Sequence, residues 1–187
     1  MTAHIADPLL LQLYNYWNGR RNGRPVPDRR DIDPIDMPRA VLPHLLLVEL
    51  HGPIPRVRYR LVGTAICARY GSDFTGYWLD ELSGPQYRQR LEEMYRRMRD
   101  TGRPIYTESE FRIDPETTAI TCRLYLPLYH QGSINMALAG QTFPAYPFDE
   151  RAFFGMIRSD FNDRLVHRDW IIDPDVAVSG PSTLIAA

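Results

Sequence analysis

Residues 104–143 read PIYTESEFRIDPETTAITCRLYLPLYHQGSINMALAGQTF. Across Thr118 to Leu128, Ile120, Cys122, Leu124, Leu126 and Leu128 recur at every second position, the period of a strand with one buried face. Before them Pro104 to Ile113 alternates, and Asp114-Pro115-Glu116 turns the chain. After them His130-Gln131-Gly132-Ser133 makes a second turn and Ile134 to Phe143 returns. Three strands joined this closely predict an antiparallel sheet.

The stretch just upstream is helical. Tyr87, Leu91, Met94, Tyr95 and Met98 fall at i, i+4, i+7, i+8 and i+11, one face of a helix. Ser83 and Gln86 have capping-box spacing with Pro85 in the first turn, and Gly102 and Pro104 stop the helix. Glu92–Arg96 and Glu93–Arg97 are spaced to pair on its outer face. Further back, Leu45 to Leu50 is continuously apolar, His51-Gly52-Pro53 turns, and Val57, Tyr59 and Leu61 alternate with Arg58 and Arg60. Thr64 is placed to cap a short helix reaching Tyr70, and Gly71 to Gly76 is a loop.

The N-terminal part is different in texture. Asp7 is placed to cap and Pro8 to open a helix, with Leu9, Leu10, Leu13 and Trp17 as its apolar stripe and Gly19 near its end. Prolines 25, 27, 34 and 38 then exclude a long helix, and Asp36 is placed to cap a single turn running to Leu42. Asp31, Asp33 and Asp36 do not make a calcium loop: Ile35 stands where a ligand is needed and Pro34 interrupts the turn. Phe148 to Ile157 reads as a helix or an arm, and residues 173–187 as a loose terminus. The order is α+β with a five-stranded antiparallel sheet. It divides into an N-terminal helix and Pro-rich arm (1–43), a core (44–146) and a C-terminal extension (147–187).

With 187 residues, 44% hydrophobic and 24% charged, the chain suits a soluble globular domain with a real core. The net charge of −1 gives no field favouring nucleic acid. Every basic residue other than histidine is arginine. No apolar stretch is long enough to span a bilayer and no signal peptide is visible, so membrane insertion is not expected and a cytoplasmic location is. Cys67 and Cys122 read as two buried thiols, and no set of residues has zinc-ligand spacing.

Several short pieces occur in a familiar order: Tyr16-Trp17, Asp31-Ile32-Asp33-Pro34, Leu42-Pro43-His44-Leu45, Arg60-Leu61-Val62-Gly63-Thr64, the loop Gly71, Asp73, Thr75, Gly76, and Arg123-Leu124 with Pro127-Leu128. In these the chain resembles bacterial single-domain PAS proteins over about residues 14–140. The resemblance implies a PAS fold, with helices on one face of the sheet and often a pocket beneath the long helix. It implies sensing or protein interaction only loosely, because a fold does not dictate a function.

The expected function is a stand-alone sensory or regulatory domain that binds a small apolar ligand or a protein partner, with no catalytic output. Any signal would pass to another molecule, and the apolar N-terminal helix is the expected docking element, on its own sheet or across a homodimer. Ile66, Tyr70, Phe74, Tyr95, Met98 and Leu124 are expected to face inward under the long helix, where a closed core and a ligand pocket are both compatible with the pattern. Arg60 is the polar candidate, either at that pocket or bonded to the Gly71–Gly76 loop through Asp73. The cofactor is unknown. A covalent flavin is disfavoured because Ile66-Cys67-Ala68-Arg69-Tyr70 lacks the adduct motif, and haem because the long helix has no histidine. His4, His44, His51, His130 and His167 read as surface histidines.

Glu108 and Glu110 share one side of a strand and could imitate a catalytic pair, but an exposed edge explains them equally. Arg88, Arg90, Arg96, Arg97 and Arg99 interleave with glutamates and read as a solvated face. The rival from another class is a small α+β enzyme like the ketosteroid isomerases, which would show a buried Asp–His or Asp–Tyr pair in a deep cavity. A purely structural interaction module would show a cavity too small for any ligand.

Overall fold

The computed structural model of the chain describes residues 4–112, 118–145 and 165–180. Its helices are α1 (Pro8–Gly19), α2 (Thr64–Tyr70), α3 (Leu79–Leu82) and α4 (Pro85–Thr101). Its strands are β1 (Leu45–His51), β2 (Arg56–Val62), β3 (Ile105–Arg112), β4 (Thr118–His130), β5 (Ser133–Ala145) and β6 (Leu165–Ile171). They form one antiparallel sheet in the order β2-β1-β5-β4-β3-β6. The expected five-stranded sheet is therefore present and gains a sixth strand from the C-terminal extension. β6 pairs with β3 from Ile105↔Ile171 to Phe111↔Leu165, covering what would otherwise be an open edge. Its sequence, LVHRDWI, has charged residues at two of seven positions and pairs far from its neighbours in the chain, so no local turn marks it. The turn expected at 114–116 and the helix or arm at 148–157 lie outside the described residues.

One face of the sheet carries α1. Asp7 Oδ1 accepts from the backbone N–H of Leu9 and Leu10 at 2.9 Å each, and Pro8 occupies the first helical position. Leu10, Leu13, Tyr14 and Trp17 are buried in a cluster that includes Leu124, Leu126, Leu128 and Leu138. Trp17 Nε1 donates to the carbonyl of Pro127 at 2.9 Å. Gly140 permits the close approach of this helix: a Cβ there would lie 2.6 Å from both Leu10 Cδ2 and Leu13 Cδ2. The helix thus docks on its own sheet. The terminus is also held, since Ile5 N donates to Ser179 O at 3.1 Å and Arg21 pairs with Asp175 at 2.8 Å. Residues 173–180 are therefore not the loose tail the sequence suggests.

The arm crosses in three short 3-10 turns, Arg29–Asp31, Pro34–Asp36 and Arg39–His44. Asp36 does not cap a turn. Pro34 takes the first position, so Asp33 becomes the cap and accepts from Ile35 N at 3.0 Å, while Asp36 pairs with Arg20 at 2.8 Å.

The other face carries α2, α3 and α4. Leu91, Met94, Tyr95 and Met98 of α4 are buried, as their spacing predicts. Two caps differ from expectation. Gly84 and not Ser83 is the N-cap of α4, because Pro85 is already its first residue and Ser83 ends α3. Gly63 and not Thr64 caps α2, and glycine is required there: a Cβ would stand 2.3 Å from the Pro43 carbonyl oxygen. The outer face carries Arg88–Glu92 at 3.7 Å, Arg96–Glu93 at 2.7 Å and Arg96–Asp100 at 3.0 Å in place of the two expected pairs. Arg97 turns away from its helix to meet Asp169 of β6 at 2.6 Å. The sheet is thus covered on both faces, with a separate apolar cluster on each.

A tyrosine-walled cavity around a buried arginine

Strand alternation decides what lies under α4. In β4 the even residues from Cys122 to Leu128 pack in the cluster beneath α1, which leaves Arg123 and Tyr125 on the α4 side. Arg123 stands opposite Gln141 of β5 and Thr107 of β3, so a polar row crosses the sheet. Above it is a cavity of about 40 Å³ walled by Tyr59, Tyr70, Tyr87, Tyr95 and Tyr125, with Leu46, Leu91 and Ala139 as its apolar side and Ser83 among the lining. One water needs roughly 10–15 Å³ of such space, so the cavity has room for about three.

The predicted residues divide cleanly. Tyr70, Phe74 and Tyr95 line the cavity. Ile66 and Met98 are fully buried in the same apolar cluster but do not reach its wall. Leu124 lies on the opposite face, beneath α1, because the apolar row of β4 belongs to that helix. Arg60 is neither at the cavity nor bonded to the loop. It sits on the edge strand β2 with its side chain 61% exposed, 3.8 Å from Glu49. The loop is held otherwise: Arg58 Nε donates to Gly76 O at 3.3 Å, and Asp73 Oδ1 accepts from Thr75 N at 2.8 Å. The sequence reading missed Arg123, Gln141, Tyr59, Tyr87 and Tyr125. The available signal was a charged residue inside the longest apolar strand, in the row facing the predicted helix.

Arg123 is 6% exposed. Its Nη2 donates to Tyr70 OH at 3.3 Å and to Tyr87 OH, and its guanidinium lies 5.6 Å from the centre of the Tyr87 ring. Gln141 Nε2 donates to the same Tyr70 oxygen at 2.9 Å. Burial works against the arginine's charge and the phenol oxygens favour it, with its pKa ending above the ordinary value. Burial pushes the phenols of Tyr59, Tyr87, Tyr95 and Tyr125 upward, so they are neutral at pH 7. No carboxylate of the described residues pairs with Arg123; Asp169 pairs with Arg97 and Glu110 with Arg168. Among the described residues the hydrogen-bond partners of Arg123 are neutral hydroxyls, so its guanidinium is hydrogen-bonded but not charge-compensated by them.

The polar row continues toward β6. Ser109 Oγ and His167 Nδ1 are 2.9 Å apart. His167 is not a surface histidine: burial, reinforced by Arg90 and Arg123, lowers its pKa to about 4. Gln86 Oε1, Arg90 Nη1, Thr107 Oγ1, Thr121 Oγ1 and His167 Nε2 are buried without a hydrogen-bond partner.

The suspected acidic pair is engaged elsewhere: Tyr106 OH donates to Glu108 at 2.9 Å and Arg168 pairs with Glu110 at 2.6 Å. Cys67 is half-buried, Cys122 is buried, and both are free thiols. Among the described residues no group of three His, Cys, Asp or Glu is placed to hold a metal, and no helix is long and apolar enough to cross a membrane. Among the described residues the cavity lining includes no Asp or His, the pair looked for in an isomerase-like enzyme.

No curated protein matches the sequence. Among solved structures, that of RsLOV in an aspartate-to-glycine variant is 17% identical, covers 62% of this chain and 70% of its own, and superposes with a TM-score of 0.40. A family model described as PAS domain matches residues 5–141. That span runs from just before α1 into β5 and takes in all or most of every strand of the 2-1-5-4-3 core. The chain belongs to the PAS domain family.

Proposed function

We propose that this PAS-type sensory domain works by taking a small ligand into the cavity under α4, and that occupancy is felt by the first half of that helix. The observation that carries the reading is Arg123, a charge kept 6% exposed beside an open cavity, whose partners among the described residues are all neutral. Burying an ion costs several kcal/mol, and replacing it with an apolar residue is often neutral or stabilising. A residue that costs stability and points at a cavity is most economically explained by something that enters the cavity. Tyr87 and Leu91 belong to α4 and meet the cavity directly, which couples its contents to the helix.

The reading is tested by nuclear magnetic resonance of the ¹⁵N-labelled chain. Neutral and anionic compounds of three to six non-hydrogen atoms are expected to shift the amides of Tyr87, Leu91, Ala139 and Gln141. Ser83→Phe, which places a bulky ring at the cavity lining, is expected to abolish those shifts. Shifts confined to the exposed arginines of α4 would overturn it.

A further inference from the structure

The chemistry of the cavity narrows what it takes. Its size, about 40 Å³, suits a molecule of few non-hydrogen atoms. Its charge is one guanidinium held between Tyr70 and Tyr87, and its hydroxyls and amides come from Tyr59, Tyr95, Ser83 and Gln141. Each of these groups is able to donate, and a planar guanidinium matches two oxygens on one carbon. The opposite wall of Leu46, Leu91 and Ala139 is apolar and offers nothing to a second polar end. Beside Arg123 the buried hydroxyls of Thr107 and Tyr125 have no well-formed hydrogen bond. Among the described residues the one positive charge has no counterion, and the lining away from these polar groups is hydrocarbon.

Resting on the reading of the cavity as a ligand site, we infer that its ligand is a small carboxylate, with the carboxylate on Arg123, Tyr70 and Tyr87 and a one- or two-carbon tail against Leu46, Leu91 and Ala139. A monoanion makes the buried guanidinium a closed ion pair and leaves no charge over. A trigonal inorganic oxyanion shares the charge but has no hydrocarbon end, and so places a polar oxygen on the apolar wall. A dianion leaves one negative charge buried.

The experiment is a titration of the full chain in Tris chloride with sodium acetate, acetamide and sodium nitrate, followed by the amide shifts of Tyr87, Ala139 and Gln141. Acetate and acetamide have the same shape and differ in charge. Acetate is expected to bind about tenfold or more tightly than acetamide, the contrast of a charged over a neutral hydrogen bond. It is also expected to bind more tightly than nitrate. Arg123→Met is expected to remove that preference while leaving weak acetamide binding in place. Equal binding of acetate and acetamide overturns the inference and leaves the cavity as a ligand site. Nitrate binding more tightly than acetate overturns the carboxylate assignment. If none of the three binds, and no other compound of this size does, the ligand site itself is removed.

Discussion

Replacing Arg123 with methionine asks whether the buried charge serves stability or binding. Methionine keeps most of the length and removes the charge, so the burial penalty of the ion, several kcal/mol, is recovered. Against this stand two hydrogen bonds from a charged donor, to Tyr70 and Tyr87, at about 1.5–3 kcal/mol each. Tyr70 keeps its bond from Gln141 at 2.9 Å, so only the Tyr87 hydroxyl loses its partner, at about 1–3 kcal/mol. The opposing contributions nearly cancel, and the variant is expected to unfold within about 1 kcal/mol of the parent. An arginine acting as a structural keystone, paired with an acid, would cost about 3–5 kcal/mol on removal. The measurement is urea unfolding in a carboxylate-free buffer at pH 8, followed by the fluorescence of the three tryptophans. A loss of 3 kcal/mol or more would refute the reasoning, because it would mean the charge is compensated inside the protein and owes nothing to a ligand.

Two other expectations follow from the same packing. His167 has a native pKa near 4, well below its ordinary 6.5, so as the pH falls through that window the unfolded chain binds a proton that the native ring refuses, and stability drops. The full shift corresponds to at most about 3 kcal/mol, reduced to roughly 1–2 by the ring's partial exposure, and unfolding at pH 7, 5.5 and 4.5 should show this slope flattened in His167→Phe. Trp17→Phe keeps an aromatic ring under the sheet but deletes the bond to Pro127, and is expected to cost about 2–3 kcal/mol in urea unfolding. A cost below about 0.5 kcal/mol would show that α1 is not seated as described.

Periodicity made the skeleton legible. The apolar stripe of α4 and the closely spaced turns between strands are local signals, and both are borne out by the observed elements. What periodicity does not carry is which helix owns which face. A strand buried on both sides has two rows of residues, and in β4 the row from Cys122 to Leu128 is the more apolar, so its Leu124 reads as facing the more conspicuous helix. It belongs to α1 instead, and the row under α4 is the one with the arginine. Arg60 misled for the same reason: it too is an arginine in a strand, but β2 lies at the edge of the sheet where a long side chain reaches water. The caps at Gly84 and Gly63 were missed because serine and threonine read as caps by type, whereas Pro85 and the Pro43 carbonyl decide the position by geometry. β6 left no local trace, since its partner is some sixty residues away.

The two ends of α4 are not held alike, and this bears on how cavity contents reach the surface. Near its C-terminus Arg99 donates to the carbonyls of Gly52 and Pro53 in the β1–β2 turn, Arg97 pairs with Asp169 of β6, and Gly102 closes the helix in a left-handed conformation. Those contacts tie the last two turns to both margins of the sheet. The first turns lack such ties: Gly84 supplies no side-chain cap, and Gln86 Oε1 and Arg90 Nη1 are buried without partners. The only polar bond to the sheet from this half, among those the described residues show, is the one Tyr87 accepts from Arg123. A ligand that takes over the Arg123 guanidinium therefore acts on the one polar tether of the less constrained half of the helix, while the other half serves as a fixed base.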